Sequence, residues 1–234
     1  RQRQMCIRDR YLFGTDWMGR DMLSRTLAGL STSIRIGVLA SAVSAVLALF
    51  LGTAAAVGGK WADGIISWCI DLMMGVPHIV LLLLISYALG KGEKGVVVGV
   101  ALTHWTSLAR LIRGEVMQLR ESEYIQIAGK LGLGKWEIAK KHIVPHVLPQ
   151  FIVGLVLLFP HAILHESSIT FLGFGLSTEQ PAIGVILSES MRYLIMGKWW
   201  LAVFPGMMLV LTVVLFEKGG TALRQLLDPG SVHK

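Results

Sequence analysis

The run Pro160-His161-Ala162-Ile163-Leu164-His165-Glu166 sets two imidazoles four residues apart, with a carboxylate directly after the second. On a helix that spacing brings His161 and His165 onto one face, one turn apart. Two neutral imidazoles and a carboxylate form an N/O donor set suited to Ni²⁺ or a similar ion. His104, and His78 directly after Pro77, also lie in apolar sequence and could join them. Ionisable groups in such surroundings are unfavourable and normally face a cavity or a partner. Three roles are open to His78, His104, His161, His165 and Glu166: metal coordination, lining of a path without metal, or hydrogen bonding between helices. An intramembrane enzyme would need a nucleophile–base pair or a metal-site motif. Only the His161/His165 pair offers itself, and its Glu follows the second His instead of lying between the two.

The elements that must position these residues are apolar helices. The chain has 234 residues, 53% hydrophobic and 16% charged, with a mean hydropathy of +0.62. Soluble domains carry about a quarter charged residues, so the balance favours a membrane protein. Residues 36–59 and 72–90 contain no charged side chain. A shorter run, 95–109, is extended by Leu111 and Ile112; 142–165 and 199–216 complete a set of five. A helix needs about 20 mainly apolar residues to cross the hydrocarbon core, and the third run is the marginal one. Pro77 removes a backbone hydrogen bond within the second span and predicts a kink there. The Ala, Ser and Gly content of the first span predicts close approach of neighbouring helices. Phe13 to Arg25 is polar and glycine-punctuated, so 11–33 reads as an extracytoplasmic juxtamembrane segment ahead of a transmembrane domain over 34–230. Residues 1–10 read as a translated sequencing-adapter segment and are set aside. Cys6 and Cys69 give neither a disulfide framework nor a metal-type spacing.

Charge sets the topology. From Arg110 to His146 there are seven Lys/Arg and four Asp/Glu; from Glu166 to Lys198 there are two and three. The positive-inside tendency puts 113–146 in the cytoplasm and 171–198 outside. The formal charge of +7 is explained by such basic flanks, without a nucleic-acid partner. Two details fit less well: 58–71 is slightly acidic, and Arg20 and Arg25 fall outside. Arg192 and Glu189, in the outer loop, are available to touch a binding protein, and Trp199-Trp200 reads as part of an interfacial aromatic belt.

The cytoplasmic loop, 114–146, is the segment exposed to soluble partners. Tyr124, Ile127, Ala128 and Leu131 fall at i, i+3, i+4 and i+7, one face of a helix. Gly132-Leu133-Gly134 should break that helix, and Trp136, Ala139 and Ile143 start a second apolar stripe. Such a helix–turn–helix could lie on lipid headgroups. Docking into a groove of a cytoplasmic protein is the better reading of this anchor spacing. Gly129-Lys-Leu-Gly-Leu-Gly134-Lys135-Trp136 mimics a phosphate-binding loop, but Trp136 stands where a hydroxyl must hold Mg²⁺. The chain therefore binds no nucleotide cofactor, and any ATP hydrolysis comes from another subunit.

Glu123-Tyr124…Ala128…Gly132…His142-Ile143-Val144-Pro145…Leu148-Pro149 resembles the EAA loop of binding-protein-dependent ABC importer permeases. Gly14-Thr15-Asp16…Gly19-Arg20-Asp21…Ser24-Arg25, Thr170-Phe171-Leu172-Gly173-Phe174-Gly175 and Leu227-Asp228-Pro229 are similar to segments of the peptide/nickel subfamily. Gln126-Ile127 depart from that pattern, where the family usually shows Glu-Ala. The resemblance covers 12–230. It implies an all-α type I importer permease of six spans, five of them in this chain and the first outside it. It also implies a second permease, most often a different one, two cytoplasmic ATPases that use ATP, an extracytoplasmic solute-binding protein, and a bacterial or archaeal cell membrane. Glu123, Tyr124, Ala128, Gly132 and Trp136 would form the ATPase-coupling surface, and the cargo would be peptides, nickel or a metal–ligand complex. Histidines recur in the nickel-type members. The alternative is an ion-coupled secondary transporter using His161, His165 and Glu166 as a relay, which inverted repeats would favour; no convincing repeat is present.

Overall fold

The computed structural model describes residues 11–227. The adapter-like residues 1–10 and the Asp228-Pro229 part of the tail lie outside the described residues. The helices are α1 (Met22–Val57), α2 (Lys60–Gly75), α3 (His78–Ala88), α4 (Glu93–Arg120), α5 (Glu123–Lys130) and α6 (Lys135–Ile138). A π-helical turn, Ala139–Ile143, then leads into α7 (Val144–Phe171), followed by α8 (Ile183–Leu194) and α9 (Trp200–Leu227). Among the described residues the only β-type pairing is an isolated bridge between Thr15 and Asp21. Four helical rods are long and apolar enough to cross a membrane: α1, α4, the continuous 135–171 rod, and α9. The bent pair α2–α3 makes a fifth when counted as one span.

The first long helix begins at Met22 because Asp21 caps it by accepting from the Leu23 and Ser24 amides. The structure corrects the expectation of a kink at Pro77. The second span is not kinked but broken, with α2 and α3 meeting at 99°. Val76 is extended (φ −89°, ψ 137°), the conformation imposed on a residue that precedes proline. Salt bridges from Arg113 to Asp63 and from Arg110 to Asp71 then hold α2 against α4.

Helix α4 is the centre of the bundle, packed along α1 and crossed by α7. Small residues set the α1–α4 distance: a β-carbon at Gly52 would sit 2.7 Å from the Ala109 carbonyl oxygen. Ser44 Oγ donates to the Ala101 carbonyl across the same seam at 2.8 Å.

The bundle has two distinct ends. At one, Arg25 bonds Glu189, the Ile183 amide reaches Ser33, and Ser86 Oγ donates to the Phe174 carbonyl. At the other, Arg120 donates to the Ala56 carbonyl, and α5, α6 and the π turn pack on the ends of α1 and α4.

Candidate translocation path and coupling loop

Three helices bring three imidazoles together. His78 is the first residue of α3, just past the Pro77 break; His104 is mid-way along α4; His165 is on α7. Ring centroids lie 4.6 Å apart for His78–His104, 4.6 Å for His78–His165 and 4.9 Å for His104–His165. One nitrogen from each ring lies within 4.8 Å of the others. His104 is 8% exposed. Its Nδ1 is 3.0 Å from the Val100 carbonyl, so that nitrogen carries the proton and donates it, leaving Nε2 with a bare lone pair. Nε2 of His104 and Nε2 of His78 are buried without a hydrogen-bond partner.

The three-ring group includes His165 of the expected His161/His165 pair and takes its other two members from α3 and α4. His161 is exposed, its Nδ1 donates to the Leu157 carbonyl at 3.1 Å, and it stands outside the three-ring group. Sequence spacing finds neighbours along one helix, whereas His78 and His104 arrive from two others at the level of His165. Glu166, the expected fifth member, is 0% exposed and faces elsewhere, since consecutive helical residues point about 100° apart. Thr170 and Ser167 hydroxyls donate to its oxygens at 3.0 and 3.2 Å, and Ser33 of α1 also bonds it. Glu166 thus ties α7 to α1.

At the opposite end, α5 and α6 form an elbow around Gly132, whose φ of +91° is a conformation that glycine adopts without strain. The apolar face predicted for α5 divides into two. Ile125 and Ala128 turn inward and pack with Ile138, Ala139 and Ile143 against the bundle. Tyr124, Ile127 and Leu131 turn outward, and Trp136 is 60% exposed beyond the glycine turn. Glu123 opens α5 on the exposed side. Sequence periodicity located the stripe but missed Ile125 and Ile138, which anchor it.

The charges that fitted the topology poorly are paired. Asp16 accepts from Arg20 at 2.7 Å and from Arg25 at 3.4 Å. Asp63 and Asp71 pair with Arg113 and Arg110. Glu189 bonds Arg25, and Arg192 is exposed. Of the tryptophan pair, Trp199 is exposed and Trp200 packs on Met22, Ile186 and Leu201.

Apolar spans around a small-residue seam, a polar cluster within the bundle and an elbow projecting between two spans define a transporter permease domain. The chain belongs to the family of binding-protein-dependent transport system inner membrane components, whose model matches residues 25–231. It is similar to the dipeptide transport system permease protein DppC of Bacillus subtilis strain 168, with 31% identity over 217 residues, 93% of this chain and 68% of that relative. Its fold resembles the inward-facing MetNI methionine ABC transporter, with a TM-score of 0.71 at 15% identity, covering 88% of this chain and 98% of that one. An amino acid ABC transporter solved with histidines gives 0.65 at 18% identity, covering 86% and 92%. The chain is accordingly a multi-pass inner-membrane protein, an ABC importer permease with the helical architecture of that class.

Proposed function

We propose that this chain forms half of the translocation path of an ATP-driven importer, that a second permease, distinct in sequence, completes the path, and that the 120–146 elbow couples it to cytoplasmic ATPases. The observation that carries this reading is the two-sided elbow. Its inner face is packed into the bundle, so it cannot move independently of the spans. Its outer face presents Tyr124, Ile127, Leu131 and Trp136, an apolar patch that suits a groove in a soluble partner. Two ATPases, one for each permease, would close on ATP and drive the spans through these contacts. A binding protein would deliver cargo at the end that carries 171–198, with Arg192 among the exposed charges there. The name of the Bacillus subtilis relative supports short peptides as cargo. Nickel and metal–ligand complexes are the second reading, supported by the three-imidazole cluster.

Replacing the exposed Ile127 with Arg tests the coupling role: the permease should still insert, while ATPase co-purification and ATP-dependent uptake by whole cells fall to background. Full uptake and intact ATPase association in this variant would refute the docking role. A cysteine at Ser122 should react with impermeant maleimide only from the cytoplasmic face. The isolated chain in lipid vesicles should not concentrate dipeptide on an ion gradient; if it does, the secondary-transporter reading replaces this one.

A further inference from the structure

We propose that His78, His104 and His165 bind a divalent first-row transition-metal ion in transit, whose remaining ligands come from a small anionic chelator, such as a short peptide, that travels with it. The inference deepens the importer reading and rests on it only for the ion being passenger rather than fixture. The donors are in place: three nitrogens from three helices lie within 4.8 Å of one another. Neighbouring donors in a five- or six-coordinate centre with metal–nitrogen bonds of about 2 Å lie roughly 3 Å apart. Ring rotation and a small shift at the 76–78 break close that difference without refolding.

The tautomer is also set. The Val100 carbonyl takes the Nδ1 proton of His104, the arrangement by which an outer hydrogen bond orients a ligating imidazole. Nε2 is left buried with nothing to bond, as is Nε2 of His78. Buried polar atoms without partners are uncommon and call for an explanation. A purely structural role for the rings would have joined those nitrogens to a neighbouring helix. Imidazole donors select copper, nickel, zinc or cobalt over magnesium and calcium.

The chelator follows from charge. The cluster contains no carboxylate, because the Glu166 oxygens are engaged by Thr170 and Ser167. A bare dication among three neutral ligands would keep its full charge in an apolar bundle, which is strongly unfavourable. A peptide's carboxylate and deprotonated amide cancel that charge and leave coordination positions open for imidazole. Loose spacing also suits a passenger that must leave again.

The test uses the assembled transporter in lipid nanodiscs, purified through a tag free of histidine, with Cu²⁺ and Cu²⁺–glycylglycine as probes. Electron paramagnetic resonance reads the number of imidazole nitrogens on the copper. Both probes should acquire protein nitrogen couplings, the chelate binding the more tightly. His104→Ala and His78→Ala should each weaken binding at least about tenfold, and His161→Ala should leave it unchanged. Size-exclusion profiles confirm assembly; should His104→Ala fail to assemble, His78→Ala, at the less packed break, decides. Unchanged affinity with an unchanged number of coupled nitrogens in both variants, or the absence of protein nitrogen couplings from the parent, overturns the site. Binding of Cu²⁺ alone with no binding of the chelate overturns the chelator. ATP-driven uptake of metal-free dipeptide, measured separately, tests the importer reading whatever the copper result.

Discussion

Helices α4 and α9 are both 28 residues long, yet they meet opposite surroundings. In α4, 67% of the apolar stretch is buried inside the bundle, against 22% in α9. The buried helix carries Thr103, His104 and Thr106, with Arg110 and Arg113 further along it; the outer face of α9 is Met207, Val210, Leu211 and Leu215. Lipid tails are as apolar as leucine, so hydrophobicity does not select which helix becomes central. Small residues and hydrogen bonds do. Helix α4 is the least apolar of the spans because it faces α1 and α7 rather than lipid.

The largest expected effect is at the α1–α4 seam. Gly52→Leu drives a side chain into the Ala109 carbonyl and Ile112, and should remove most folded permease from membranes, as read by size-exclusion chromatography of detergent extracts. Val210→Leu, an enlargement on the exposed face of α9, should change nothing measurable. Equal tolerance of the two would break the comparison. Next comes the Asp63–Arg113 pair. Arg113→Ala should lower stability by about 1 kcal/mol, near the upper end for a partly exposed pair. A double-mutant cycle with Asp63→Ala should attribute that loss to the pair, and additive losses would contradict it.

In water at the start of α1, Asp21→Ala removes a cap worth about 0.5–1 kcal/mol. The Ser24 hydroxyl, then the Ser24 and Leu23 amides, hold the Asp21 carboxyl below the usual carboxylate range. Its contribution is therefore complete above the ordinary value of about 3.9 and fades as pH falls through the lower folded-state value. The thermal stabilities of parent and variant should converge in acid, and a gap that widens there would contradict the cap. The smallest effect is Ser44→Ala, which removes one interhelical bond and should cost about 0.6 kcal/mol by equilibrium unfolding.

The spans, the elbow and the glycine break at 132–134 were legible because each depends on local sequence: apolar length, periodicity and a backbone breaker. Pro77 announced a disruption but not its angle, because salt bridges from Arg110 and Arg113, 39 and 50 residues away from their partners, help to place α2. The division of the α5 stripe was hidden for a similar reason. Periodicity groups Tyr124 with Ala128, but only contact with α4 and α6 decides which half is covered. The imidazole cluster was half visible. All three histidines stood out as ionisable groups in apolar sequence, yet their meeting at one level depends on where three helices cross.

The rod from Lys135 to Phe171 is a single helical piece of 37 residues that holds Trp136 at its foot and His165 near its top. At 1.5 Å per residue those two side chains lie about 44 Å apart along it. A lean of only ~5° about the foot would swing the upper imidazole by about 4 Å, close to the whole spacing of the cluster. A slight push beneath the membrane would then suffice to dismantle a grip deep within it.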